Sequence, residues 1–402
     1  MTVKNLLGKY TGTLVMLESN LHVRVLQNKL TPNLSDYLTR AKAELEFGWK
    51  MDVPRAQDWV EVDIQAIVRA LVSRMSAVVF LGHPACRNED WLRLRVNFSI
   101  NIFHTSLAMR MFPPLLHPFI APILPSRHLA RQNLALARRI IAPIIEKHKK
   151  LPAGRRPDKT QTEEDSLLTW MVDNATDVEN QSDQMASRQL ILTLASIHTT
   201  SMAVSHALFD LCAHPEFFEP LREEIERVLA GSQTLEVKHM QDLQMLDSFL
   251  VESQRFNPPI LLSPQRLVME PLTLRDGTYL PKGTHISFPS ADILMDNSVT
   301  PNASLFDPLR SYRNRQQTGQ SNRHLLGQTD KDHLAIGHGK QACPGRMFAV
   351  SEIKLILARF LLDYDFKYPQ GCTRPKNMFL DENVFIDPLA KLMMQRRFAL
   401  QA

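Results

Sequence analysis

The chain has 402 residues, 44% of them hydrophobic, and 47 Lys plus Arg against 42 Asp plus Glu leave a formal net charge of +5. That apolar share supports a substantial core, while the dispersed and only mildly basic charge argues against a nucleic-acid-binding protein. The four cysteines, Cys86, Cys212, Cys343 and Cys372, are widely spaced with no Cys-x-x-Cys pair. This excludes a disulfide framework and a structural zinc site, and points to a reducing compartment.

No run of about 20 predominantly apolar residues, the length of a membrane span, opens the chain. His22 and Arg24 precede Leu30-Thr31-Pro32-Asn33-Leu34 and read as one exposed helix face. Apolar periodicity predicts helices at about 60–75, 128–148, 186–213, 216–230, 245–256 and 346–362. Between the first two, Ser99 to Pro125 is apolar and proline-rich but interrupted by His104, Arg110 and His117. It reads as a helix and loop, either packed in the core or dipping into a membrane surface. Residues 149–165 concentrate charge, Pro and Gly, including Arg155-Arg156, and read as a solvated surface connector.

The 186–213 helix carries a stripe of Leu190, Leu194, Ile197 and Ser201, with Ser196, Thr199, Thr200 and Ser201 clustered in its middle. Such hydroxyls bond the carbonyl one turn back and loosen the helix locally. His198 lies among them, and an imidazole with an ordinary pKa near neutrality is either a proton shuttle or a structural side chain. Glu252 and Arg255 stand three apart on the 245–256 helix and are neighbours there. Asn257-Pro258-Pro259 ends that helix. Leu272 to Ile286, with turns at Asp276-Gly277 and Lys282-Gly283, supplies short strands. Gln316 to Asp332 is a second polar surface loop.

The segment Ala335-Ile336-Gly337-His338-Gly339-Lys340-Gln341-Ala342-Cys343-Pro344-Gly345-Arg346 stands immediately before the last helix. Two glycines permit positive φ and close approach of the main chain to a flat ligand. Pro344 has its φ already set for a helix start. Cys343 thus falls at a helix N-terminus, where free amides and the dipole favour a thiolate, with Lys340 and Arg346 adding positive charge. A lone cysteine in a glycine-rich turn reads as a buried free thiol. The long pattern Gly-x-Gly-x-x-x-Cys-Pro-Gly-Arg points instead to an iron ligand.

This loop resembles the haem-ligand loop of the cytochrome P450 superfamily. The Ser-Ile-His-Thr-Thr run at 196–200 resembles that of fungal, membrane-associated, terpenoid-oxidising enzymes of secondary metabolism. Four departures stand out: Ile336 where the family usually has Phe, Gln341 for His or Arg, Ser196 for Gly, and His198 for an acid. The resemblance implies a mainly α fold with a small β portion, as one domain over 1–402. It also implies that the family's N-terminal anchor and first helices and strands are lacking here. The cofactor implied is haem b (iron protoporphyrin IX) with Cys343 as axial thiolate, backed by Gly337, Gly339, Ile336 and Arg346. Arg266, His22 and Arg24 are the candidate partners of the haem propionates. Glu252 and Arg255 are expected to join Arg310, in Phe306-Asp307-Pro308-Leu309-Arg310, in a buried structural triad. Thr199 and His198 are expected to relay protons for O–O cleavage, with Ala195, Leu261, Leu262 and Ser263 facing substrate.

The function implied is a monooxygenase inserting one atom of O2 into a C–H bond of an apolar secondary metabolite, a terpenoid or meroterpenoid. Electrons are expected from NADPH–cytochrome P450 reductase. The family's full-length members sit on the cytoplasmic face of the endoplasmic reticulum, whereas this chain would be soluble or peripheral. Two alternatives remain open at this level: a catalytically impaired haem-binding paralogue or fragment, and a helical scaffold without cofactor.

Overall fold

The computed structural model describes residues 8–151, 165–230, 232 and 235–397. The 149–165 connector therefore lies almost wholly outside the described residues. Within the single domain read from sequence, the chain groups into two compact units, Met1–Val53 with Arg69–Thr200, and Pro54–Val68 with Ser201–Ala402.

The first unit is helical. Glu89–Arg110 starts where Asn88 accepts a hydrogen bond from the Trp91 amide at 2.9 Å, with Glu89 and Asp90 in the first turn. A capping side chain satisfies a free amide, and acidic residues suit the positive helix end. Its buried positions Trp91, Leu94, Phe98, Ile102, Thr105 and Met109 recur at helical spacing. They pack against Pro125–Lys149, whose buried Ala130 and Ala137 let the two helices approach closely. The membrane-or-core segment is thereby split. Ser99, Ile102 and Met109 are core, whereas Met111, Leu115, Phe119 and Ile123 are 73%, 82%, 74% and 74% exposed.

Sequence periodicity had not pointed to Leu34–Asp52. Its buried face includes Glu44 and Gly48 between Leu38, Leu45 and Trp49, which dilutes the apolar signal. Ile64–Leu81 is long and apolar enough to cross a membrane by length and composition, but 67% of it is buried inside the fold.

Among its described residues the second unit combines helices with nine short strands: β1 (Val60–Val62), β2 (Gln265–Leu267), β3 (Leu272–Thr273), β4 (Tyr279–Leu280), β5 (His285–Ser287), β6 (Tyr364–Lys367), β7 (Met378–Leu380), β8 (Asn383–Phe385) and β9 (Leu392–Arg396). β9 is central in the sheet β1-β9-β6, antiparallel to both neighbours, with Val60 opposite Met394 and Tyr364 opposite Arg396. Leu392 and Met394 point to the core in the alternation expected of a half-buried strand. The remaining strands pair as β2-β5, β3-β4 and β7-β8. Gln244–Phe256 and Arg346–Asp363 form the helical core of this unit. Buried Lys354 of the second meets buried Asp247 of the first at 2.6 Å. Residues 316–332 contain no helix or strand.

Candidate active site

The cysteine loop is closed by its own backbone. The Cys343 amide donates to Ile336 O at 2.9 Å, Ala342 N to Gly339 O at 3.0 Å, and Gly337 N to Leu334 O at 2.9 Å. Gly337 has φ +78°, and a Cβ there would stand 3.3 Å from the Gln341 carbonyl oxygen. Another residue would be strained in backbone and would press on the turn that presents Cys343. Gly339, at φ +67°, has open space around it and needs glycine for conformation only.

Arg346–Asp363 begins at Gly345 without any side-chain cap, so its first amides are left for another acceptor. The Arg346 amide turns to Cys343 O at 3.5 Å, and the Gly345 and Arg346 amides lie near enough to the thiol to lower its pKa. Burial nevertheless pushes the thiol pKa up, outweighing these amides and the Arg346 charge. The helix terminus and Arg346 thus favour the thiolate, as expected, but do not outweigh burial. The side chain is open on one side and crowded on the other. Only a cation on the open side would hold it deprotonated. The donor set fits an iron porphyrin: one soft sulfur open on one side at an uncapped helix start, and a glycine at positive φ in the turn that presents it.

Arg346 is fixed by backbone carbonyls on either side of the loop. Its guanidinium donates to Gly327 O at 3.1 Å and Cys343 O at 2.9 Å, bracing the loop against the preceding segment. That segment is in turn held by Asp247, which accepts from the Leu326 amide at 3.1 Å. Sequence reasoning missed Asp247 and its partner Lys354, whose helical positions carry no motif.

The structure brings Glu252, Arg255 and Arg310 together. Glu252 accepts from Arg255 at 2.9 and 2.7 Å, faces Arg310 Nε at 3.6 Å, and accepts the Asp307 amide at 2.9 Å. Arg255 also donates to the carbonyls of Leu294, Ala303 and Leu305. Arg310 donates to those of Pro301, Asn302 and Leu305. One buried carboxylate thus organises the whole irregular stretch from Leu294 to Arg310.

Ala195, His198 and Thr199 belong to the first unit, on the long helix Ser182–Ala213. Ala195 and Thr199 are exposed while Ile197, Thr200 and Ser201 are buried, so one face at i, i+4 spacing is uncovered by protein. Thr199 Oγ1 donates to Ala195 O at 2.7 Å, which leaves its lone pairs to accept. His198 does not titrate near neutrality: burial, with Arg69 adding repulsion, pushes its imidazole down to about 4. The unfolded chain takes up this proton first as pH falls from 6.5, so its contribution to stability is present above 6.5 and lost toward about 4. His198→Gln is expected to flatten the slope of unfolding free energy against pH in that window by up to about 1.4 kcal/mol per pH unit. A denaturant series at several pH values with an unchanged slope would refute this.

His22 and Arg24 lie on the short helix Leu21–Val25 of the first unit. Arg24 pairs with buried Glu179 at 3.4 Å. His22 Nδ1 is buried without a hydrogen-bond partner among the described residues, and burial followed by the Arg188 charge lowers its pKa. Arg188, 1% exposed, donates to Gln184 and Ser19. A charged residue at the head of an apolar helical run was its only sequence signal. In the second unit Arg266 sits in β2 opposite Ile286, its guanidinium on the Gln265 carbonyl. Leu261 and Ser263 are half-buried and Leu262 exposed. Their backbone is fixed by Leu261 N to Glu382 O at 2.8 Å and Ser263 N to Phe288 O at 2.9 Å.

Glu44, His83 and Cys86 form a further chain: His83 lies 3.3 Å from both the Glu44 carboxylate and the Cys86 sulfur, and Arg87 closes on Glu44 at 2.7 Å. Burial pushes the Cys86 thiol up to about 12, so it is an inert thiol that braces the helix ends.

The cytochrome P450 family profile matches residues 20–394. The chain is 50% identical over 396 residues to cytochrome P450 monooxygenase AN1598 of Emericella nidulans, covering 98% of this chain and 74% of that protein. It is 45% identical to cytochrome P450 monooxygenase olcJ of Penicillium canescens, again over 98% and 74%. With ent-kaurene oxidase of Gibberella intermedia the identity is 42%, over 98% and 74%. Its fold is similar to a solved structure, retinoic acid bound cyanobacterial CYP120A1, with TM-score 0.70 and 18% identity over 95% of this chain and 79% of that one. The fold and the relatives define a haem-thiolate oxidoreductase. The chain belongs to the cytochrome P450 family and is a monooxygenase whose cofactor is haem b held by a cysteine.

Proposed function

We propose that Cys343 is the axial ligand of that haem. The enzyme, on this reading, inserts one oxygen atom of O2 into a C–H bond of an apolar terpenoid or meroterpenoid, with electrons from an NADPH-dependent reductase. The observation that carries the assignment is the cysteine loop, closed by Cys343 N to Ile336 O and turned at Gly337 so that Cys343 stands at an uncapped helix start. When bound, the haem supplies O2 activation and C–H oxidation, a chemistry that a thiolate ligand favours.

The remaining work falls to the chain's own groups. Amides near the sulfur temper its donation, and Arg346 keeps the loop at fixed register with Gly327. His22 Nδ1, orphaned and buried, is suited to a propionate, and Arg266 is a second candidate for the same role. Arg24 is a weaker one because Glu179 already holds it. Thr199, exposed and with its oxygen free to accept, passes protons to the reacting oxygen, and neutral His198 holds the helix rather than supplying charge. Leu261, Leu262 and Ser263 of the second unit are candidates for substrate contact, as Ala195 is in the first, and the ent-kaurene oxidase relative supports a terpene hydrocarbon.

Two measurements test this. The reduced, carbon-monoxide-bound protein should show the strongly red-shifted Soret band of a thiolate. Reconstitution with the reductase, NADPH and a terpenoid panel should give products heavier by one oxygen. A thiolate Soret band with no product from any member would favour the impaired paralogue.

Peripheral membrane contact through Met111, Leu115, Phe119 and Ile123 belongs to the same proposal, since these side chains stand exposed on one short stretch. Burying one such side chain contributes about 1.5–3 kcal/mol. Leu115→Glu with Phe119→Glu is therefore expected to weaken cosedimentation with phosphatidylcholine vesicles by about tenfold or more. Equal binding of variant and wild type would remove this stretch from any membrane contact.

A further inference from the structure

A buried polar cluster in the second unit has no part in the reading above. Arg374, in the irregular segment between β6 and β7, reaches five partners, one of them Asn377, whose Oδ1 accepts from Nη1 at 3.3 Å. Its Nε meets Asp210 Oδ1 at 2.5 Å, and Nη2 donates to Asn257 Oδ1 at 2.8 Å and faces His206 Nδ1 at 3.3 Å. Its Nη1 donates to the Pro375 carbonyl at 2.8 Å. Asp210 is 3% exposed and its second oxygen accepts from Ser253 Oγ at 2.6 Å and Asn257 Nδ2 at 2.9 Å. Asn377 adds a further bond to Asn257 Oδ1 at 2.8 Å. Burial and the Arg374 charge push His206 down to about 3, so the imidazole is neutral and accepts from the guanidinium.

The cluster ties together three pieces of chain: the C-terminal part of Ser182–Ala213, the end of Gln244–Phe256, and the run entering β7. From the second piece the chain continues through Pro258 and Pro259 to Leu261, Leu262 and Ser263. From the third it continues into the β7-β8 hairpin. These two continuations are stitched to each other: Leu261 N donates to Glu382 O at 2.8 Å, Val384 N to Pro259 O at 3.4 Å, and Ile260 pairs with Asn383. Beyond the stitching, Leu262, Phe379 and Leu380 are 38%, 63% and 39% exposed. The hairpin is too short to hold itself, since a two-stranded ribbon is marginal alone. Its position is therefore set at its root, where Arg374 supplies the cation to the buried Asp210 carboxylate that Ser253 and Asn257 also hold.

We propose that Arg374 is a positioning residue for substrate selectivity: by joining Asp210, Asn257 and the Asn377 run, it fixes where Leu262, Phe379 and Leu380 present an apolar wall to the substrate. This rests on the reading that Leu261–Ser263 face substrate beside the haem. Arg374 touches no reacting atom, so its loss changes how a bulky ligand is held rather than whether haem is held. Lysine is no substitute, because a single ammonium does not reproduce the planar fork on Asp210 and Asn257.

The test uses haem-loaded full chain and two iron-binding probes, imidazole and 4-phenylimidazole, the second carrying a phenyl ring for the wall to contact. Arg374→Gln and Arg374→Lys are expected to weaken 4-phenylimidazole about tenfold and imidazole less than about twofold. Amide hydrogen exchange at Leu261 and Val384 should quicken by about tenfold in the same variants. Should Arg374→Gln fail to fold because Asp210 loses its cation, Asn377→Ala removes two root bonds, to Asn257 and from Arg374, while leaving the Arg374–Asp210 ion pair, and the same pattern of smaller size is expected. Unchanged exchange and unchanged 4-phenylimidazole affinity in folded variants would overturn the proposal, as would equal weakening of both probes. Wild-type protein that gives no spectral shift with imidazole overturns the haem reading and this proposal with it, an outcome distinct from a wild-type shift that the variants leave untouched.

Discussion

Cys343→Ala protein is expected to fold, to lose the red-shifted Soret band of the reduced, carbon-monoxide-bound form, and to form product at background rate. A fall of about 10³-fold or more corresponds to a loss of about 4 kcal/mol in transition-state stabilisation. The fold should survive because the loop's closing bonds, Cys343 N to Ile336 O and Ala342 N to Gly339 O, are made by backbone. The Arg346 braces go to carbonyl oxygens as well. Removing one sulfur from a side chain open on one side costs about 1 kcal/mol or less. Carbon-monoxide difference spectra and a denaturant midpoint on the same preparation check both halves. Product formation by the variant at the wild-type rate would end the assignment of Cys343.

Glu252→Ala is expected to cost about 3–5 kcal/mol, the range for breaking a buried ion pair and stranding its partner. Against a total stability of about 5–15 kcal/mol that is enough to leave little folded protein. The reason is geometric. Glu252 and Arg255 are each 2% exposed, and with the carboxylate gone Arg255 is left with neutral partners, backbone carbonyls and the Met295 sulfur, for a full buried charge. Arg310→Lys should be milder, about 1 kcal/mol, because Arg310 is 17% exposed and stands 3.6 Å from Glu252. Urea unfolding of the two variants side by side measures the difference. A Glu252→Ala loss below about 1 kcal/mol would mean that the cluster is solvated.

Legibility from sequence followed the range of the interactions. Helices with an unbroken apolar period, such as Ser182–Ala213 and Arg346–Asp363, were visible because that period is local. Leu34–Asp52 was not, since Glu44 and Gly48 occupy buried positions whose partners, Arg87 among them, lie far along the chain. The Glu252–Arg255 pair was legible from its spacing of three. Arg374 was not, because Asp210 and Asn257 are more than a hundred residues away from it.

What the amino-acid sequence determined by itself is the identity of the groups and their local geometry: glycines where φ must be positive, a proline at a helix start, and a cysteine between them. What only tertiary structure decided is their electrical state and their second duties. Burial raises the Cys343 thiol against its own helix terminus and drives His198 down to about 4, and the fold brings Gly327 to Arg346 as a further partner. Desolvation depends on every atom packed around a group, and most of those atoms come from distant parts of the chain.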